Sequence, residues 1–134
     1  MLLSGSNSSV SRISIELVIN GVDILPAQLV RHLSPLTIRK IINSMPISGI
    51  LHKFGDSFIY FQTDIKMGSE KSIGQFKKGD IAFSPQSSIF CIFLRDSITA
   101  QKFNLVGHMI SSNLDILSSI KMGDQMTLRK SEIF

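Results

Sequence analysis

Cys91 is the only cysteine in the 134 residues, so no disulfide can form within the chain. It sits in the run Ile89–Leu94, IFCIFL, between Phe90 and Ile92. A thiol in such a setting is expected to pack as a small apolar group rather than act as a nucleophile, which needs exposed, electropositive surroundings. Those six residues are also the longest uninterrupted apolar run. A membrane-spanning helix needs about 20, so none is expected, although 43% of the residues are hydrophobic and the mean hydropathy is +0.25. The first ten residues, MLLSGSNSSV, lack the basic opening of a secretory signal and carry only three apolar residues before Ser4. They read as part of a loose tail over 1–12, ahead of a domain over 13–134, in a protein expected to be cytoplasmic. Charge of either sign is sparse: fourteen Lys and Arg against ten Asp and Glu give +4. The basic pairs Arg39-Lys40, Lys77-Lys78 and Arg129-Lys130 are scattered, without the stripe and interleaved aromatics of a specific nucleic-acid binder.

What the chain does have is strand pattern. Ile13, Ile15, Leu17 and Ile19 alternate with Ser14, Glu16, Val18 and Asn20, the period of a half-buried strand. Asn20-Gly21 then predicts a type I′ hairpin turn into a return strand over Val22–Val30, with Pro26 at an unpaired edge or a bulge. Ser34 caps and Pro35 opens one clear helix, in which Ile38, Ile41, Ile42 and Met45 share a face, and Pro46 ends it. Ile47–Phe54, a turn at Gly55-Asp56, and Phe58–Thr63 read as a second hairpin. Ile81–Pro85 and Ile89–Leu94 fold back on each other around Gln86-Ser87-Ser88 as a buried one. Asp64–Gln75 and Arg95–Ala100 read as connections, Phe103–Ile110 as a strand interrupted at Gly107, Asn113 as the cap of a short helix over Leu114–Ile120, and Gln125–Lys130 as the last strand. Eight strands in a chain of this size need both sheet edges managed, and closure does so most completely. The expected fold is mainly β: a closed eight-stranded β-barrel with one long and one short α-helix over its ends.

Five stretches carry a family resemblance. Ser34-Pro35-Leu36-Thr37, Met45-Pro46-Ile47-Ser48-Gly49, Phe54–Phe61, Lys78–Pro85 and Ile89–Phe93 resemble, in that order, signatures of the small cyclophilin-like proteins of archaea and bacteria. Val106–Ile110 with the segment after it is similar to the strand and short helix that finish cyclophilins. The resemblance implies a cyclophilin-like barrel from residue 13 onward and, for that family, no established biochemical role.

No stretch spells a catalytic, metal or nucleotide motif. His52, His108 and Cys91 lack the close pair spacing of a metal site, and no cofactor is called for. Asp56, Asp80 and Asp124 each follow a glycine and precede a strand, where aspartate bonds its own turn backbone. The most informative group is aromatic. His52, Phe54, Tyr60, Gln62, Phe83, Pro85 and Phe93 are the candidate ligand-binding residues, because on alternating strands some of them must point away from a barrel interior and make an apolar pocket with a few polar handles.

Two functions compete. One is a noncatalytic binding module for a small molecule or an extended peptide, which admits a homo-oligomer. The other, by analogy of fold alone, is a peptidyl-prolyl isomerase. True cyclophilins place an arginine in a Phe-His-Arg strand ahead of a Phe-Met-x-Gln strand; the nearest stretches here are Leu51-His52-Lys53-Phe54 and Phe58–Gln62. Lysine stands where arginine would be, across a shorter loop, which ranks the binding module first.

Overall fold

The computed structural model describes residues 11–110 and 114–131. Residues 1–10, most of the expected tail, and Asn113, the expected cap of the short helix, lie outside them. Ten strands run as β1 Arg12–Ile19, β2 Asp23–Val30, β3 Ile47–Ile50, β4 His52–Phe54, β5 Phe58–Gln62, β6 Ile73–Phe76, β7 Asp80–Ser84, β8 Ile89–Phe93, β9 Ser97–Met109 and β10 Gln125–Lys130. A 3₁₀ turn at Arg31–Leu33 leads into helix α1, Pro35–Ser44, and a one-turn helix α2, Leu114–Leu117, precedes β10.

The strands order as β3-β10-β1-β2-β9-β7-β8-β5-β4, with β6 paired to β9 off this path, and every pairing is antiparallel. This corrects the expected architecture. The end strands β3 and β4 are consecutive in the chain yet share no ladder among the described residues, so the sheet is open rather than a closed eight-stranded barrel. Ile47–Phe54 is not one strand either, because the backbone turns away at Leu51. There Leu51 N–H donates to Asp124 O at 2.7 Å and Leu51 O accepts from Gly123 N–H at 3.0 Å, while its side chain is buried. β3 therefore pairs with β10, and β4 starts afresh on β5.

Two further strand segments occupy ground that reads as loop in the sequence. β6 takes up the last three residues of the expected connection 64–75 and Phe76 after it, and β9 begins at Ser97 instead of Phe103. β9 thereby serves two partners: its later residues pair with β7 and β2, and its earlier ones pair with β6. A bulge separates neighbouring pairs in the later half, since Ile81 pairs with Gly107 but Ala82 with Leu105. Gly107 is also a close approach, because a Cβ there would collide with the Gln28 carbonyl.

Two apolar clusters follow, one on each face. The larger holds Ile15, Leu17, Leu25 and Leu29 from the first hairpin, Ile38 and Ile41 from α1, and Phe61, Phe83 and Phe90 from the later strands. Alternation sends Phe58, Ala82, Cys91 and Phe93 to the opposite face, where they pack with Phe76 of β6 and Phe103 of β9. Phe76 stacks on Phe93 at 4.4 Å between ring centroids. The turn signals hold: Asn20 and Gly21 both have positive φ (53° and 72°), and Val22 N–H closes the turn on Ile19 O. Pro26 sits just past the last β2–β9 pair, so its missing N–H costs no ladder bond.

Candidate functional site

Outside the main core, the face of β4, β5 and β8 meets the early half of β9 across a cavity of about 460 Å³. Its wall comes from Phe54, Phe58, Tyr60 and Gln62 on one side, Ile89 and the Ser84 and Ser87 turn below, and Ala100, Gln101 and Phe103 opposite. Strand register explains why these residues meet. Phe54 pairs with Phe58 and His52 with Tyr60, so these four share a face, and Gln62, two residues on, continues it beside Ile89. The rings are layered: Phe54 on Phe58 at 5.0 Å and 11°, His52 on Tyr60 at 5.4 Å and 27°, and Phe58 edge-on to Phe103 at 5.7 Å. Phe54 is 62% exposed, which leaves a large apolar ring at the rim.

The polar groups are few and partly committed. Gln62 Nε2 donates to Ser87 O at 2.8 Å and to Ser88 O at 3.2 Å, which fixes the amide against the β7–β8 turn. Its Oε1 accepts no bond from a described residue. The Tyr60 hydroxyl is likewise without a partner among the described residues. No charged side chain lines this cavity. Beneath it Cys91, opposite Tyr60 across the β5–β8 ladder, is fully buried, and burial pushes its thiol pKa well up.

The seven residues singled out from the sequence separate. Phe54, Tyr60 and Gln62 line the cavity, and His52 stands beside it on the exposed side of Tyr60. Phe93 shares their face but is completely buried, packed among the rings of Phe58, Phe76 and Phe103. Phe83 points the other way, into the main core, because it pairs with Phe90 at a position one residue out of phase with Ala82 and Cys91. Pro85 lies at the neighbouring turn and lines a separate depression. Phe58 was within reach of the alternation argument, being two residues from Tyr60. Gln101 and Phe103 were not, since no local pattern announces that β9 begins at Ser97. Lys53, the residue at the place of the isomerase arginine, pairs with Ile59 and so faces away from Tyr60 and Phe54. Of the three turn aspartates, Asp80 and Asp124 accept from the N–H three residues back, Lys77 and Lys121, whereas Asp56 pairs with Arg95 at 3.1 Å. Among the described residues no three of His, Cys, Asp and Glu gather as metal ligands, and no helix is long and apolar enough to cross a membrane.

An open antiparallel sheet with α1 on one face and a ten-residue aromatic cavity on the other is the arrangement to which the comparisons give a family. The cyclophilin-like family model matches residues 13–129, and the chain belongs to that family. Among solved structures it is similar to the hypothetical protein AF2241 from Archaeoglobus fulgidus, with 19% identity, 90% of this chain and 96% of that one covered, and a TM-score of 0.71. It is also similar to McbB, solved in complex with tryptophan, with 12% identity and a TM-score of 0.75. That match covers 90% of this chain and only 45% of McbB, so this chain spans about half its length. No curated protein matches in sequence. At these identities the likeness is one of fold.

Proposed function

We propose that the protein is a noncatalytic binding module whose β4–β5–β8 cavity holds a flat, largely apolar small molecule, or an aromatic side chain of an extended peptide. One observation carries this reading: a cavity of about 460 Å³ with layered aromatic walls and a fixed glutamine, within the usual ~300–1,000 Å³ of small-molecule sites. Aromatic walls favour a planar guest through offset and edge contacts, and Gln62 Oε1 and the Tyr60 hydroxyl supply orientation. The uncharged lining argues against a phosphate or a polyamine here. It also supports ranking binding above prolyl isomerisation, since no guanidinium or ammonium faces the cavity. That McbB shares the fold and was solved with tryptophan makes indole and tryptophan reasonable first probes.

The chain supplies its own reporter, because it has no tryptophan and Tyr60 is its single tyrosine. Tyrosine emission therefore reads this cavity alone, and its quenching by energy transfer to a bound indole is followed in the Tyr60 band, corrected for the light that free indole absorbs. Saturable transfer to indole or L-tryptophan that weakens in Gln62→Ala and Phe103→Ala is the expected result. Absence of any saturable change with indole, L-tryptophan or a short Phe-containing peptide would remove the site from this reading.

A further inference from the structure

A second cavity, of about 760 Å³, lies where β6 crosses β7 and β9, and it shares no lining residue with the first. Phe76 lines one and Phe103 the other, with ring centroids 5.9 Å apart. Its chemistry differs as well. Lys77, Lys102, His108 and Asp80 line it, with Ile73 and Leu105 as apolar surface.

The bulge in β9 is what brings His108 there. Strict alternation from Leu105 would turn residues 107 and 109 outward and 108 inward. The extra residue between the Ala82–Leu105 and Ile81–Gly107 pairs instead returns Met109 to the core and sets His108 opposite Asp80. The lone carboxylate in this cavity is already committed: Asp80 Oδ2 accepts from Lys77 N–H at 2.8 Å, and Oδ1 meets His108 Nδ1 at 3.1 Å. With Nδ1 held by Asp80, the imidazole is fixed in orientation and presents Nε2 as its other polar atom. Neither Lys77 Nζ nor Lys102 Nζ has a partner among the described residues. Two ammoniums and an oriented imidazole thus line a cavity whose carboxylate is spoken for.

We propose that this second cavity binds a small organic anion, a carboxylate or a phosphate ester, with its charged head at Lys77 and Lys102, its apolar part against Ile73 and Leu105, and the ring of His108 as a fixed wall between them. Charge-assisted hydrogen bonds hold the head, and the apolar strip distinguishes such a ligand from a free inorganic ion. The site is independent of the one proposed above, whose lining is uncharged.

The test is an NMR titration of the full chain with hexyl phosphate, hexanoate and, as the uncharged control, hexanol, following the amides of Lys77, Leu105 and His108, none of which lines the aromatic cavity. Saturable shifts with hexyl phosphate or hexanoate, absent with hexanol, are expected, and whichever anion saturates at the lower concentration assigns the head group. Lys77→Gln and Lys102→Gln should each raise the midpoint about tenfold, the size of one lost charge-assisted bond. Both lysines are exposed, so the variants keep the fold, and Tyr60 emission should not respond to either anion. Equal binding of hexanol, midpoints unmoved by the lysine variants, or no saturation by either anion would each overturn the proposal. Failure here leaves the indole experiment untouched, and the reverse holds too.

Discussion

Glu70 caps helix α1 at Thr37 from thirty-three residues away: its Oε1 accepts from Thr37 N–H at 2.8 Å and from Thr37 Oγ1 at 2.7 Å, and its Oε2 accepts from Leu36 N–H at 2.9 Å. Ser34, the cap that the sequence suggests, instead donates its hydroxyl to Leu105 O at 2.8 Å and makes no side-chain bond to the helix. The buried Asn104 ties the arrangement together, accepting from Glu70 N–H and donating to Thr37 Oγ1 and Gly68 O.

This cap predicts a pH dependence. Partial burial raises the Glu70 pKa, but the bonds from Leu36 and Thr37 and the charge of Lys71 outweigh it and hold the carboxyl below its ordinary value of 4.5. A carboxylate with a depressed folded-state pKa contributes its full stability above the unfolded value and loses it as pH falls through the folded one. Denaturant unfolding of the wild type should therefore weaken below about pH 4.5 more steeply than that of Glu70→Gln. At pH 7 Glu70→Ala should cost about 0.5–2 kcal/mol, the range for a lost N-cap. Equal stability of Glu70→Ala and the wild type at pH 7 would deny the cap.

Gly107→Ala should be among the most damaging small substitutions in the chain. The added methyl has no room against Gln28 backbone, which cannot move without opening the β2–β9 ladder. Overpacking costs about 1–3 kcal/mol where side chains can yield, and here the obstacle is main chain. A thermal melt should show a drop of several degrees or more; an unchanged melt would contradict the close approach.

Cys91 should resist thiol reagents under native conditions and react on unfolding, because it is fully covered by the Phe58, Phe76, Phe93 and Phe103 cluster and its pKa is pushed well up by burial. Cys91→Ala should fold, whereas Cys91→Asp should not, since an unpaired carboxylate at that depth costs several kcal/mol. Rapid stoichiometric labelling of the folded protein would show that the cluster is not closed.

Prolyl isomerisation should be absent or very weak in a protease-coupled assay on an X–Pro peptide, and Lys53→Ala should leave it unchanged. The barrier to be lowered is ~18–20 kcal/mol, and a fixed guanidinium is the group suited to the rotated amide. Lys53 is neither that group nor on that face, being paired with Ile59. Robust catalysis by the wild type would promote the enzyme reading over the binding module.

The sequence alone determined what local chemistry can determine. Alternation placed Ile13, Ile15, Leu17 and Ile19 on one face, Asn20-Gly21 could only be a positive-φ turn, and Ser34-Pro35 with the Ile38 stripe could only be a helix start. It also put Tyr60 and Gln62 on one face, with His52 expected to join them there, because a period of two is a property of the strand itself. Tertiary structure decided everything that depends on a distant partner. Leu51 splits one strand into two because Gly123 and Asp124 capture its backbone. Ile73–Phe76 becomes β6, and β9 reaches back to Ser97, because each supplies the other's ladder. Phe83 and Phe93 part company because register, not composition, sets which face each residue occupies. Glu70 displaces Ser34 as the cap for the same reason: hydrogen-bond partners are chosen by proximity in space, and neighbours in sequence are only the first candidates.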